Sequence, residues 1–101
     1  MKVLVDQDIP LAENVRLIKR LYKVNKDKDF PEGLKFAYQF LFRKEKWLEI
    51  ARMDNYTHDL KKKGVHVHKI GAKEVIFKNM TFEECEEYIV NLGFNLIRCL
   101  E

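Results

Sequence analysis

The chain has 101 residues, of which 47% are hydrophobic and 35% are charged, and its formal net charge is +3. This length supports one domain with one modest core. No segment reaches the roughly 18 apolar residues that a membrane span needs, and Asp6 and Asp8 interrupt the apolar start where a targeting peptide would continue. We therefore expect a single domain over residues 1–101 that is cytoplasmic and has no membrane partner.

The N-terminal region carries the signals of a helix. Asp8 and Pro10 are typical of a helix start, because an aspartate caps the first turn and proline tolerates it. Apolar residues then recur at the spacing of one helical face: Leu11, Val15, Ile18 and Tyr22. We predict a helix over residues 10–24 with a basic outer face, followed by a polar loop over residues 25–32.

The middle of the chain alternates apolar and polar residues, which predicts strands. The predicted strands are 34–43, 47–53, 65–70 and 74–78. Residues 44–46 form a connection short enough for a hairpin, whereas residues 54–64 form a longer polar loop. This order predicts an antiparallel meander of four strands.

The C-terminal region predicts a second helix. Thr81 and Glu84 have the spacing of a capping box, with a hydroxyl at the cap and a carboxylate three residues on. The predicted helix spans residues 82–92 and ends at Gly93, and residues 94–100 then pack back as a last strand. The fold class is therefore α+β: a four-stranded antiparallel meander with an N-terminal and a C-terminal helix on one face.

All three histidines of the chain lie close together in sequence, at positions 58, 66 and 68. His66 and His68 are two residues apart in a predicted strand, so both side chains point to one face, roughly 6.5–7 Å apart at the backbone. Val65 and Val67 then point to the opposite, apolar layer. The pattern places two imidazoles side by side on the less buried face of the sheet.

A pair of imidazoles can supply one acid and one base near neutral pH. Cleavage of RNA at its own 2′-hydroxyl needs such a pair, together with a cation that stabilises charge on the phosphate. Arg52 offers a planar guanidinium that fits a phosphate. Asp54 would orient one imidazole, and His58 would contribute position or proton transfer. This interpretation predicts an endoribonuclease that needs no cofactor.

Residues around the histidines also suggest how an RNA would be held. Tyr56 is an aromatic residue in a polar loop, where it could stack on a base. Lysines crowd the same segment and would attract an anionic substrate: Lys61, Lys62, Lys63 and Lys69.

The same cluster fits two other functions. His58, His66, His68 and Asp54 could hold a divalent metal ion, with a metal-bound water as the nucleophile of a phosphoesterase or nuclease. Alternatively, the histidines are structural, and the chain is a non-catalytic module that binds nucleic acid or protein. The spacing of the residues does not separate these alternatives from the leading one.

One arrangement in the sequence is similar to a known family. A strand ends in an arginine, an aspartate and an asparagine, and a single histidine, a His-x-His strand and a closing helix follow. This order, over roughly residues 34–92, resembles the small TumE-like toxin family of bacterial and archaeal toxin–antitoxin pairs. The matching residues are Arg52, Asp54, Asn55, His58, His66 and His68.

The resemblance implies an RNA-cleaving toxin that is neutralised by a cognate antitoxin encoded beside it, often a DNA-binding helix-turn-helix protein. The chain departs from the family pattern between Asn55 and His66, where lysines replace a stretch rich in proline and histidine. A homodimer would require the Leu34–Phe42 strand or the open sheet face to pair with a second copy.

Overall fold

A computed structural model describes residues 1–56, 64–73 and 75–100. Within these residues, six strands and one helix follow one another: β1 (Lys2–Ala12), β2 (Val15–Lys23), β3 (Leu34–Arg43), β4 (Trp47–Asp54), β5 (Val65–Lys69), β6 (Ile76–Lys78) and α1 (Phe82–Leu100). Each strand pairs antiparallel with the next in sequence, so the sheet is one meander with β1 and β6 at its edges.

The prediction of an N-terminal helix over residues 10–24 is wrong, because this segment forms the end of β1 and all of β2. Val15 and Leu17 are both buried, which is the two-residue repeat of a strand. Every residue of β2 pairs with β3, so sheet pairing outweighs the helical spacing of the apolar residues. Pro10 lies in an edge strand, where proline is tolerated.

The predicted fold class is therefore corrected: the described residues form six strands rather than four, and one helix rather than two. The end of the helix is also different from the prediction. Helix α1 continues through Gly93 to Leu100, so residues 94–100 are helical and form no strand. Gly93 is buried against the ring of Phe40, and a Cβ atom at this position would overlap that ring. The glycine serves close packing and does not end the helix.

The structure confirms the central strands and the start of the helix. The predicted 34–43 strand coincides with β3, and β4 and β5 differ from their predictions by one residue. The capping box forms: the Thr81 backbone N–H donates to Glu84 at 2.9 Å, and the Glu84 N–H donates to the Thr81 hydroxyl at 3.2 Å. Hydrogen bonding to the Glu84 carboxylate from Thr81, first from its backbone N–H, lowers the pKa of Glu84.

Helix α1 packs on β3 and β4 and covers one face of the sheet around these strands. Tyr38 lies in this layer, stacks on Phe82 with ring centroids 5.1 Å apart, and donates its hydroxyl hydrogen to the Phe82 carbonyl at 2.9 Å. Burial raises the pKa of Tyr38, and it raises the pKa of the Cys85 thiol to about 12. The opposite face of the sheet has no such cover among the described elements.

Helix α1, although 19 residues long, is too polar to be a candidate membrane span, and the part of the chain that the structure describes contains no other candidate.

Replacing Gly93 with alanine tests the close contact between α1 and the sheet. Alanine favours a helix over glycine by about 1 kcal/mol, but overpacking costs about 1–3 kcal/mol. The difference of these two effects leads us to expect that Gly93→Ala lowers the free energy of unfolding by up to about 2 kcal/mol in chemical denaturation. Asn91→Ala, at an exposed position of the same helix, is the control and should stabilise slightly. Stabilisation by Gly93→Ala would contradict the packing described here.

Candidate functional site

Strand alternation places the candidate residues on the open face of the sheet. Met53 and Val67 are fully buried towards α1, so their neighbours in β4 and β5 point the other way. Arg52 pairs with His68 across the two strands, and Asp54 pairs with His66. The prediction that His66 and His68 share one face is confirmed, and the hairpin brings Arg52 and Asp54 beside them.

The carboxylate of Asp54 lies at the centre of this group. Its Oδ2 atom is 3.8 Å from Arg52 Nε and 3.9 Å from His68 Nε2. Its Oδ1 atom is 4.0 Å from His66 Nδ1. Three nitrogen-bearing side chains therefore surround one carboxylate at ion-pair distances.

Asp54 is the only buried charged residue in the described part of the chain, with 8% of its surface exposed. The backbone N–H of Tyr56 donates to Asp54 Oδ1 at 3.1 Å, which closes a turn directly after β4. A buried carboxylate is costly unless it is hydrogen-bonded and paired. The Tyr56 N–H supplies one hydrogen bond, and the Arg52 guanidinium, at 3.8 Å, is the nearest charged partner.

The two histidines differ in their access to solvent. The His68 side chain is 33% exposed and that of Arg52 is 43% exposed, whereas that of His66 is 12% exposed. His66 packs edge-on against Phe77 with ring centroids 4.5 Å apart. A ligand on the open face would therefore meet Arg52 and His68 first, and His66 lies deeper, 6.5 Å from His68 between ring centroids.

These side chains line a concavity of about 420 Å³ on the open face. Its lining residues are Arg20, Ala37, Gln39, Arg52, Asp54, Tyr56, His66 and His68. A larger cavity of about 590 Å³ lies beside the start of α1 but contains none of the titratable residues of this cluster. We place the candidate site in the smaller concavity, because the cationic, acidic and imidazole groups converge there.

Arg20 and Gln39 line the concavity although the sequence did not suggest them. The helix predicted over residues 10–24 would have placed Arg20 on its basic outer face. In β2, Arg20 instead pairs with Ala37, which in turn pairs with Asp54. Recognising β2 as a strand of the same sheet would have found it. The side-chain amide of Gln39 donates a hydrogen bond to the Glu49 carboxylate at 2.8 Å. The Gln39 side chain is therefore directed towards the side of the concavity.

Tyr56 lines the concavity, but other side chains already contact its ring. Phe30 meets it edge-on at 5.6 Å between centroids, and Lys35 Nζ lies 4.2 Å from the ring centroid. Lys69 pairs with Ala51 and shares the face of Val67, so the structure does not bring it to the histidines. The predicted site residues His58, Lys61, Lys62 and Lys63 lie outside the described residues.

The metal alternative depends partly on His58, which also lies outside the described residues. Among the residues that the structure does describe, no group of three or more histidines, cysteines, aspartates or glutamates is arranged to hold a metal ion.

Comparisons of the chain with models of protein families, with curated proteins and with solved structures found no match.

Asn55 has a structural function that the sequence motif did not reveal. Its side-chain oxygen accepts the Phe36 N–H at 2.9 Å, and its side-chain amide donates to the Leu34 carbonyl at 2.8 Å. These bonds continue the pairing of β3 with the chain beyond β4 and fix the turn that holds Asp54.

We expect Asn55→Ala to lower the free energy of unfolding by about 1–3 kcal/mol, because two partly buried backbone groups of β3 lose their partners. Chemical denaturation would measure the loss. Asn95→Ala, at an exposed position of α1, is the matched control and should not destabilise. Equal stability of the two variants would show that the Asn55 bonds contribute nothing.

Proposed function

We propose that the chain is a small endoribonuclease that cleaves RNA by histidine acid–base chemistry. One observation supports the proposal above all: His66, His68 and Arg52 lie within 4.0 Å of the Asp54 carboxylate in a concavity on the open sheet face. This set combines two proton-transfer groups, a phosphate ligand and an orienting carboxylate. Each of these parts has a role in cleavage at the 2′-hydroxyl.

In the proposed reaction, one imidazole accepts the proton of the 2′-hydroxyl as the 2′-oxygen attacks the adjacent phosphorus. The bond from phosphorus to the 5′-oxygen then breaks, and the other imidazole, in its protonated form, donates a proton to that oxygen. The products are a 2′,3′-cyclic phosphate and a free 5′-hydroxyl. Protons and charge balance over the step, and no outside reactant is needed.

The geometry suggests how the residues divide this work. Arg52 and His68 are a cross-strand pair and the more exposed side chains, so they would meet the phosphate directly. Arg52 would stabilise the negative charge that builds on its oxygens. Asp54 would orient both imidazoles and stabilise whichever one is protonated. His66 is less exposed than His68, and it would be the second member of the acid–base pair, deeper in the concavity.

The biological setting is proposed on the sequence resemblance alone. By that resemblance, the endoribonuclease would act as a cytoplasmic toxin and would be neutralised by a cognate antitoxin encoded beside it. Expression of the chain with and without its chromosomal neighbour, scored by growth and RNA integrity, tests this part. If the neighbour does not relieve growth inhibition, the antitoxin pairing is contradicted. The proposed cleavage chemistry is tested separately, by variants at His66, His68 and Arg52.

We expect His66→Ala, His68→Ala and Arg52→Ala each to slow RNA cleavage by about 10²-fold or more, because each removes a group that acts in the transition state. Rates of cleavage of a fluorescent oligoribonucleotide would measure the loss, and thermal unfolding would verify the fold. Arg16→Ala is the control for Arg52→Ala, since Arg16 is an exposed arginine outside the concavity. Wild-type cleavage by the His66→Ala/His68→Ala double variant would refute the mechanism.

Chelation and pH separate this mechanism from the metal-dependent alternative, one of whose predicted ligands, His58, lies outside the described residues. We expect cleavage to survive exhaustive dialysis against a chelator. We also expect a bell-shaped dependence of kcat/KM on pH, because one imidazole must be neutral and the other protonated. Loss of activity on chelation and recovery on adding Zn²⁺ or Mn²⁺ would favour the metal-dependent phosphoesterase. RNA that is bound but not cleaved, both after chelation and after addition of Zn²⁺ or Mn²⁺, would favour a binding module.

A further inference from the structure

We infer that Arg20 is a second phosphate-binding residue, and that the site takes a single-stranded RNA by two phosphates on either side of Ala37. The inference rests on the proposed ribonuclease function and names its substrate more closely. Arg20 lines the same concavity as Arg52 and the histidines, although it comes from a different hairpin.

The register of the sheet fixes the relation between the two arginines. Arg20, Ala37, Asp54 and His66 form one cross-strand row, and Gln39, Arg52 and His68 form the next row. Strands β2 and β4 are two strand spacings apart, about 9.5 Å. Ala37 has the smallest side chain of the lining and lies between Arg20 and Asp54 in its row. It therefore forms a low floor, with Arg20 on one side and the Asp54 carboxylate, with Arg52 beside it, on the other.

The partners of the two guanidinium groups lie on opposite sides of this floor. Arg52 faces Asp54 in its own strand, whereas Arg20 Nε lies 3.4 Å from Asp6 Oδ1 in the edge strand β1. Two cations anchored in this way suit two phosphates better than one. A nucleoside that links the two phosphates would then lie above Ala37.

The Arg20 side chain is available for such a contact. It is 46% exposed, and its partner Asp6 is 62% exposed. Exposed ion pairs of this kind contribute little to stability and exchange readily for another anion. An incoming phosphate would therefore compete with Asp6 for Arg20, and the Asp6 carboxylate would weaken substrate binding.

The chain contains a matched pair for the control. Arg16 lies in the same strand and forms an ion pair with Asp8 of β1 at 3.0 Å, with both side chains 49% exposed. It lies over the Trp47 ring, 5.2 Å from the centroid, and does not line the concavity. Arg16→Ala and Arg20→Ala change the net charge equally, as do Asp8→Asn and Asp6→Asn. The two arginines differ in their position relative to the site, and Arg16 also contacts the Trp47 ring.

The test compares cleavage of a dinucleoside monophosphate with cleavage of the same dinucleotide carrying an added 5′- or 3′-phosphate. In the wild type, the added phosphate on one side should raise kcat/KM about tenfold through KM. We expect Arg20→Ala to abolish this gain, Arg20→Lys to restore part of it, and Arg16→Ala to keep it. Asp6→Asn should lower KM for the extended substrate about threefold, and Asp8→Asn should not.

Binding of a 2′-O-methyl oligoribonucleotide, which cannot be cleaved at its 2′-position, gives a second measurement. Arg20→Ala should reduce the slope of log affinity against log salt by about 0.7, the value for one phosphate of a single strand. Identical behaviour of Arg20→Ala and Arg16→Ala in a cleaving enzyme would overturn this inference alone. If the wild type cleaves none of these substrates nor a longer RNA, the proposed function fails and this inference fails with it.

Discussion

The packing of α1 against β3 and β4 determines which side of the sheet can carry polar chemistry. Gly93 lets the helix approach the Phe40 ring, so the layer between helix and sheet is closed and apolar. Strand periodicity then directs every second residue of β5, and of β4 from Ala51 onward, away from that layer. Met53 and Val67 lie inside it, so the intervening positions, Arg52 and His66 among them, lie together on the other face.

On that face, Asp54 is the only buried charged residue in the part of the chain that the structure describes. Withdrawing a carboxylate from water costs several kcal/mol unless its partners compensate. Its ion pair with Arg52 is at 3.8 Å and Arg52 is 43% exposed, so the pair contributes at most about 1 kcal/mol. The hydrogen bond from the Tyr56 backbone supplies further compensation. The burial of this acid beside two imidazoles is the feature on which the proposed chemistry rests.

Those parts of the fold and the site that depend on local sequence patterns were predictable, and those that depend on contacts between distant residues were not. The alternation of β3 and the two-residue spacing of His66 and His68 are local, and the structure bears them out. The helix assigned to residues 10–24 failed because apolar spacing alone could not report the pairing of β2 with both neighbours. The helix end assigned to Gly93 failed because the contact with Phe40 joins residues distant in sequence. Tertiary pairing decided both cases.

The error over residues 10–24 also concealed part of the site. As a helix, this segment would have carried its arginines on an outer surface, away from the histidines. As strand β2, it brings Arg20 to within two strands of Asp54, across the small side chain of Ala37. The aspartates of β1 then pair with the arginines of β2 and offset most of their charge. The open face is therefore not uniformly basic. The anion recognition that we propose would depend on a few guanidinium groups at defined positions rather than on the mild net charge of +3.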